Sequence, residues 1–418
     1  MANITDYILS TEPRIENLPR YFTFMVAALV AIGPFTIDTY LPAMPIMAKE
    51  FGVGIEQINF TIITYMLGYG SAQLIGGPLS DQIGRKKVAF FGLSIYIPCT
   101  LLIAMSDTIL MVQILRAVQA FGGGFATVIC MALIRDAYEP EEAARQFPKV
   151  IMIMLLAPLV APMIGILLIG FGWPSIFVFL ALYGLAMLVS VVRIPETAPN
   201  LTHKISFKGF VPQYKEVVTR RENGKLIPLL YILTIALSSG CLIVFISNVS
   251  FLYIINFAID EKLFPLFFAL NIGTMLFFTG VTSRLVKTVP SYLIFRVGLT
   301  GQLISLSVLV AIVTFANPSV WVFTVLMALT IGMTGLISPS VTALYMAHYE
   351  RLAGSASSVL SVSIFMLGAI LATLSQLFFD DSVRPIVYTM LVSVILSNLV
   401  ATTIPAPIKP KLVEPQVS

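Results

Sequence analysis

The dominant pattern along the chain is a repeated alternation of long apolar runs with short polar breaks. Each run is roughly 20 residues long, the length that an α-helix needs to cross the hydrocarbon core of a bilayer. The runs are too long for barrel strands, and backbone polar groups inside lipid must be satisfied within the segment, so helices are predicted. The predicted helices, called spans 1–12, lie at approximately 21–42, 57–79, 88–106, 109–134, 147–170, 174–193, 226–250, 263–283, 292–316, 320–345, 354–378 and 383–404.

Composition supports this pattern. The chain is 58% hydrophobic and 11% charged, whereas soluble domains carry about 25% charged residues. A core does not need so much apolar surface, so the surplus is expected to face a lipid bilayer. The sequence therefore predicts an all-α membrane protein that crosses the bilayer repeatedly.

The distribution of basic residues predicts the orientation. Of the 25 Lys and Arg, all but four fall in segments on the side of the two termini. Lys49, Lys262 and Arg384 lie on the other side, and Arg116 lies inside span 4. Because positive charge collects on the cytoplasmic face, both termini are predicted to be cytoplasmic. The net charge of +4 follows from this asymmetry and indicates no nucleic-acid partner.

Polar stretches predict two halves. We expect a cytoplasmic N-terminal segment, a six-helix bundle, a cytoplasmic linker, a second six-helix bundle and a cytoplasmic tail. These five parts are 1–20, 21–193, 194–225, 226–404 and 405–418. The sequence GPLSD (77–81) between spans 2 and 3 resembles GVTSR (280–284) between spans 8 and 9, which indicates an internal duplication.

The segment GPLSDQIGRKK (77–87) is unusually polar for its apolar surroundings. Asp81 lies where span 2 ends, Gly84 permits a tight reversal of the chain, and three bases stand at the entrance to span 3. The alternative is that the three bases only set the orientation of the chain in the membrane. The candidate residues of this loop are Gly77, Ser80, Asp81, Gly84, Arg85 and Lys86.

Two charged residues fall inside predicted spans, away from the helix ends. Asp38 in span 1 and Arg116 in span 4 would each cost roughly 2.5–3.5 kcal/mol at a bilayer centre, so each is a candidate functional residue. At about 1.5 Å per residue they lie roughly 6 and 10 Å from the outer ends of their spans. The alternatives are that Asp38 reaches interfacial water and that Arg116 anchors backbone carbonyls between helices.

Several motifs together resemble the major facilitator superfamily. They are GPLSDQIGRKK (77–87), RAVQAFGGG (116–124) in span 4, APLVAPMIG (157–165) in span 5, PET (195–197) and TIDTYLPAMP (36–45). The last is similar to the first helix of the bicyclomycin/chloramphenicol resistance (Bcr/CflA) drug:proton antiporters. Span 5 has Ala-Pro where many antiporters have Gly-Pro. The resemblance implies functional roles for Gln119 and Gly122 in span 4 and for Pro158, Pro162 and Gly165 in span 5.

The resemblance also implies an architecture and a mechanism. Two six-helix bundles would rock by alternating access, and Asp81 with the neighbouring bases would hold them together on the cytoplasmic side in the outward-open state. Spans 1 and 4 would both line a central cavity, where Asp38 and Arg116 would face one another. Asp38 would take up a proton when hydrated from outside and release it inward as substrate binds. The expected partners are a small-molecule substrate, protons and the lipid bilayer, with the protein working as a monomer.

The expected function is the export of drugs or other small amphipathic molecules in exchange for protons. A proton-coupled importer on the same fold is the alternative, and a receptor is disfavoured because the longest loop is only about thirty residues. No metal-ligand or nucleotide motif occurs, so no enzyme activity, metal or cofactor is expected. Polar-tipped and aromatic side chains suggest a substrate cavity, although interfacial or packing roles are the alternative for each. These cavity candidates are Tyr40, Tyr65, Tyr69, Gln73, Phe245 and Asn248.

Overall fold

The computed structural model describes residues 18–198, 210–222, 224–349 and 352–405. Helices form nearly all of the ordered structure within these ranges, and an isolated β-bridge joins Glu222 to Lys225. All twelve predicted spans are present as helices. Eleven are long and apolar enough to cross a membrane. The remaining helix, span 2, is 29 residues long and buries several polar side chains, which lower its apolar character without shortening it.

The first half contains spans 1–6. Span 1 is a helix over Phe22–Asp38, a short 3₁₀ turn and a second helix over Met44–Phe51, so it extends well beyond the predicted end at 42. It ends where Gly52 adopts a left-handed conformation. The other helices are span 2, Ile55–Ile83; span 3, Arg85–Ala104; span 4, Ile109–Val128 continued by Cys130–Ala137; span 5, Pro140–Ile169; and span 6, Pro174–Arg193.

The second half repeats this arrangement after a linker helix, Phe210–Thr219. Span 7 is longer than predicted because a π-helix over Phe251–Asn256 continues it. The helices are span 7, Ile227–Ser250; span 8, Phe264–Leu285; span 9, Ser291–Phe315; span 10, Val320–Gly332 continued by Thr334–Met346; span 11, Ala353–Leu377; and span 12, Arg384–Thr402.

The two segments of the predicted duplication, expected between spans, instead form the last turns of the span 2 and span 8 helices, and they share a local structure. In the first half, Ser80 Oγ donates to the carbonyl of Gly77 at 2.6 Å. In the second half, Ser283 Oγ donates to the carbonyl of Gly280 at 2.7 Å. The matching residues of GPLSD and GVTSR therefore adopt the same helix-terminal hydrogen bond.

Apolar packing divides the molecule into three clusters. One contains only residues between Phe22 and Ile194, and a second contains only residues between Val217 and Ile404. The third joins both halves, for example Met44 of span 1 with Phe251 beyond span 7. We call the end that carries the 77–87 loop and the linker helix the basic end. The third cluster lies toward the opposite end, where the two halves are packed together.

Candidate transport pathway

Two adjoining cavities lie between the halves. The vestibule, of about 830 Å³, opens near the basic end and is bordered by polar groups of the 77–87 loop, the linker helix and span 11. The inner chamber, of about 360 Å³, is lined by spans 1, 2, 5, 7, 8 and 11. Volumes of this order accommodate small organic molecules. The two bundles together therefore enclose a path with room for a substrate.

The walls of the inner chamber are almost entirely apolar. Ile243 and Ile246 of span 7, Phe268 of span 8 and Met66 of span 2 are typical of the lining. Asp38 is the one charged residue among the lining side chains that the structure describes. The chamber thus exposes a single carboxyl group between apolar walls.

Asp38 is held there by the end of a helix. It is the last residue of Phe22–Asp38, and Pro34, one turn earlier, also lines the chamber. Its side chain is buried, with 4% of its surface exposed. Within the described part of the chain, no hydrogen bond or ion pair to its carboxyl group is found. The carboxyl group is therefore free to interact with a proton, water or substrate in the chamber.

Arg116 is fully buried in the first bundle rather than in the chamber. Its Nη1 donates to the carbonyl of Thr36 at 3.2 Å and to Oε1 of Gln119 at 3.0 Å. Its guanidinium lies 4.8 Å from the ring centre of Tyr40 and 4.7 Å from that of Tyr65, within cation–π range. Its Nε and Nη2 have no hydrogen-bond partner among the described residues.

The predicted facing pair of Asp38 and Arg116 is therefore not what the structure shows. The aromatic rings and the two oxygen acceptors hold the guanidinium inside the first bundle, while the carboxyl group faces the space between the bundles. Contact between Arg116 and a backbone carbonyl of span 1 matches the alternative role considered from the sequence.

The span 4 motif extends this buried network. Gln119 accepts from Arg116 and donates through Nε2 to Oγ1 of Thr100 in span 3 at 2.7 Å. A Cβ atom on Gly122 would lie 2.6 Å from the carbonyl oxygen of Gly92. Gln119 thus links the buried cation to span 3, and Gly122 allows spans 3 and 4 to pack closely.

The span 5 motif places small and rigid residues against the chamber and span 1. Pro158 lines the chamber, and Pro162 is buried. Any side chain on Gly165 would collide with the carbonyl of Thr39. Gly165 therefore permits spans 1 and 5 to approach closely, next to the helix end that carries Asp38.

An ionic cluster forms around the buried Arg85 at the basic end. Arg85, with 4% of its side chain exposed, lies 2.5 Å from the carboxylate of Asp81 and 3.1 Å from that of Asp136. It also donates to Ser80 Oγ at 2.5 Å. The buried Asp136 was not identified from the sequence, where it looks like an ordinary charge at the end of span 4.

Glu196 completes the cluster from the PET motif. Its carboxylate accepts from the backbone N–H groups of Arg85 at 2.8 Å and Lys86 at 3.2 Å, satisfying free donors at the start of span 3. Lys86 Nζ in turn donates to the carbonyls of Val192 and Ile194. From the sequence, the PET motif was only a mark of the family resemblance, and no structural role was predicted for it.

The partners found for Arg85 and Lys86 belong to the first half or to the start of the linker that follows it, and none belongs to the second half. The predicted linkage of the two bundles by this loop is thus not formed in this conformation. Gly77 comes near the second half, since a Cβ atom there would lie 3.3 Å from Ser358 Oγ. Asp81, with 63% of its side chain exposed, lines the vestibule.

The six cavity candidates divide into two groups. Tyr65 lines the chamber, Gln73 lines the vestibule, and Tyr69 lines both. Tyr40 packs on Arg116 and is not a lining residue. Phe245 and Asn248 are likewise absent from the walls, because Phe245 packs in the apolar cluster that joins the halves and Asn248 is part of an amide network.

This amide network closes the pathway at the opposite end. Asn59 Nδ2 of span 2 donates to Asn248 Oδ1 at 3.3 Å and to Gln376 Oε1 at 3.4 Å, and Gln376 donates to Asn248 at 2.7 Å. Nearby, Ser250 Oγ of span 7 donates to the carbonyl of Leu41 at 2.6 Å. The halves are thus bonded together at this end, while the vestibule lies at the other.

Known proteins resemble the chain over most of its length. The bicyclomycin resistance protein homolog of Haemophilus influenzae is 29% identical, covering 90% of this chain and 94% of that protein. A chloramphenicol resistance protein of Pseudomonas aeruginosa is also 29% identical, over 83% of this chain and 82% of that protein. Both names agree with the Bcr/CflA resemblance.

Solved structures share the fold. A crystal structure of a D-xylose–proton symporter superposes with a TM-score of 0.71 at 13% identity, covering 92% of this chain and 97% of that one. This likeness confirms the prediction of twelve helices in two six-helix bundles. The family model described as Major Facilitator Superfamily matches residues 24–373. The chain is a multi-pass membrane protein that belongs to the Major Facilitator Superfamily.

Proposed function

We propose that the protein exports small amphipathic molecules from the cytoplasm in exchange for protons, by alternating access. The observation that carries the proposal is the inner chamber between the bundles, whose one charged lining residue in the described structure is Asp38. Relatives named for resistance to bicyclomycin and chloramphenicol support drugs as the substrate class.

Proton exchange rests on the isolation of this carboxyl group. A charged carboxylate among apolar walls is costly, whereas contact with water removes most of that cost. Opening toward the outside hydrates Asp38 and allows it to take up a proton. Opening toward the cytoplasm, together with substrate binding, favours release of that proton on the other side.

The orientation follows the positive charge. The basic end is proposed to be cytoplasmic, in a bacterial inner membrane, with the protein working as a monomer. The vestibule then faces the cytoplasm, and the bonds among Asn59, Asn248 and Gln376 close the outside. The structure then corresponds to the conformation in which substrate enters from the cytoplasm.

One carboxyl group suits the transport of one proton per substrate. A proton crossing about 100 mV gains roughly 2.3 kcal/mol, which corresponds to about fiftyfold accumulation of a neutral substrate. Exchange of one proton for a monovalent cation moves no net charge and gains nothing from the potential. Neutral or zwitterionic substrates are therefore favoured over dications.

The test is a proton-flux measurement in inverted membrane vesicles, whose interior is acidified by respiration. A panel of drugs, chosen by susceptibility of an efflux-deficient host, is added outside. Antiport removes protons from the interior, and a pH-sensitive dye inside the vesicles reports the change. An importer would instead release protons only when the substrate is loaded inside.

Asp38→Asn is expected to abolish drug-dependent proton release, because an amide cannot exchange a proton in this range. The matched control is Ser239→Ala, a small change at a neutral residue in the wall of the same chamber. It should keep proton release close to that of the unsubstituted protein. Normal proton release by Asp38→Asn, in protein inserted at normal levels, would refute the coupling role.

A further inference from the structure

The vestibule and the inner chamber meet at a narrow set of side chains. Four residues belong to the walls of both cavities: Val30, Tyr69, Met154 and Phe365. They come from spans 1, 2, 5 and 11, so both halves contribute to the junction. These four side chains lie where the vestibule and the chamber that holds Asp38 adjoin.

Tyr69 is the fixed side of the junction. Its hydroxyl group is 2.7 Å from Thr127 Oγ1 in span 4, and its ring stacks on that of Tyr65 at a centroid distance of 6.1 Å. Both contacts lie within the first half. The ring is therefore expected to move with the first bundle as one body.

Phe365 supplies the opposing side from the second half. Its ring meets that of Tyr69 edge-on, with 5.0 Å between the ring centres. It can approach because the next residue of span 2 is Gly70, where a Cβ atom would lie only 3.1 Å from the Cβ of Phe365. The ring pair thus joins two bodies that alternating access must move apart.

The two sides of the junction differ in chemistry. The vestibule side carries Asp81, Gln73 and serines of span 11, including Ser361. The chamber side is apolar around Asp38. Narrow apolar constrictions exclude water and thereby interrupt the passage of ions. A ring formed by one aromatic pair, one valine and one methionine has the composition of such a constriction.

We propose that the Tyr69–Phe365 pair is the inner gate of the pathway. The wide vestibule stays hydrated, and separation of these two rings decides when the chamber that holds Asp38 is connected to it. The closed pair prevents protons from leaking between Asp38 and the basic end in the absence of substrate. This goes beyond the proposed function, because the barrier exists whichever molecule is transported and in whichever direction.

The test measures access to the chamber directly. Ser239 in the chamber wall is replaced by cysteine, and its reaction rate with a water-soluble cationic thiol reagent is measured from the basic end. The full-length protein in proteoliposomes is used, with its native cysteines replaced by alanine. These are Cys99, Cys130 and Cys241.

Phe365→Ala is expected to raise the labelling rate of the new cysteine by at least about tenfold, equivalent to lowering a barrier by about 1.4 kcal/mol. Span 11 offers two matched controls. Ile364 lines the chamber alone and Ser361 lines the vestibule alone. Ile364→Ala and Ser361→Ala are therefore expected to change the rate by less than about twofold.

The proposal is overturned if Phe365→Ala leaves the rate unchanged, or if Ile364→Ala raises it equally. Phe365→Trp, which fills the junction further, should slow labelling and covers the case in which the alanine variant fails to fold. A second measurement is the proton leak of substrate-free proteoliposomes, which Phe365→Ala should increase and Ser361→Ala should not. Neither measurement requires transport, so the result tests the proposed gate independently of the proposed export function.

Discussion

The two halves of the molecule share a scaffold but differ in their charge. Among the described residues, Asp38, Arg85 and Arg116 are buried, the side chain of Asp136 is only 6% exposed, and all four lie in the first half. The second half also buries polar groups, such as Gln302 and Gln376, but these are uncharged amides and hydroxyls. Charge chemistry is therefore concentrated in one bundle, and the other supplies a neutral wall.

The shared scaffold is visible in matched hydrogen bonds. In the first half, Thr36 Oγ1 and the Tyr96 hydroxyl, on spans 1 and 3, lie 2.7 Å apart. In the second half, Ser238 Oγ donates to Gln302 Oε1 at 2.8 Å, between spans 7 and 9. The same pair of helices is thus bonded in each bundle by neutral groups. The buried charges of the first bundle therefore have no counterpart in the shared scaffold. Comparing substitutions in the two halves separates the role of these charges from the role of the scaffold.

The largest difference is expected at the matched loops. Arg85→Ala removes the buried cation that pairs with Asp136 and leaves only the exposed Arg135 beside that carboxylate, so we expect a loss of up to about 3 kcal/mol in the free energy of unfolding. Arg284, in the corresponding loop of the second half, is exposed and has no ion pair among the described residues. Arg284→Ala should change the free energy by less than about 0.5 kcal/mol.

Unfolding of detergent-solubilised protein by increasing mole fractions of sodium dodecyl sulfate gives both free energies. Equal losses for the two variants would show that the loops are stabilised alike, and the ionic cluster would then have no special role. A double variant with Asp136→Asn sharpens the test. Removing the acid as well should recover part of the stability lost in Arg85→Ala, because no carboxylate is then left with the exposed Arg135 as its only cation.

A second comparison separates function from stability. Arg116 is buried with two donor atoms unpaired, and burial of such a cation costs more than its cation–π contacts return. Arg116→Met is therefore expected to raise the free energy of unfolding by about 1–3 kcal/mol while abolishing drug-dependent proton release. A buried charge that lowers stability is retained for activity.

Gln302→Met in the second half is the matched change with the opposite expectation. It leaves Ser238 without its acceptor, and a loss of about 1 kcal/mol with transport retained is expected. Detergent unfolding of the two variants measures the change in stability, and the vesicle assay measures drug-dependent proton release. A destabilised Arg116→Met protein that still releases protons would make Arg116 a structural anchor instead.

The positions of the helices could be predicted from the sequence. Bilayer thickness fixes the length of each apolar run, so hydropathy locates all twelve helices within a few residues at most ends. It fails at the end of span 1, because the Met44–Phe51 helix includes Lys49 and Glu50 and ends only at the left-handed Gly52. Hydropathy does not detect a helix that continues beyond the apolar run.

The sequence also predicts how deep a residue lies along its helix, but it does not predict which side of the helix the residue faces. Asp38 and Arg116 were expected at similar depth, yet one faces the chamber and the other the interior of its bundle. Asp136 and Glu196 were missed because their partner Arg85 is 51 and 111 residues away in the chain. Phe365 carries no polar signal at all, so its place at the junction required the structure.

The last comparison concerns two glycines, and like the pair Arg116 and Gln302 it predicts opposite signs in the two halves. Gly84 has a φ of 109° and ψ of 148°, a region that is essentially restricted to glycine, and a Cβ atom there would collide with the carboxylate of Glu196. Gly84→Ala should therefore lower the free energy of unfolding by about 1–3 kcal/mol, measured in the same detergent titration.

Gly280 of the matching loop lies inside the Phe264–Leu285 helix, with nothing within 4 Å of an added Cβ. Gly280→Ala should raise the free energy of unfolding by about 0.5–1 kcal/mol, since alanine loses less backbone entropy than glycine in a helix. Gly280 matches Gly77 of the duplicated segment, and Gly84 stands three residues beyond that segment, so the two substitutions compare the turn after span 2 with the last turns of span 8. Destabilisation by both would mean that the second loop is as constrained as the first, and that the asymmetry between the halves does not extend to their backbones.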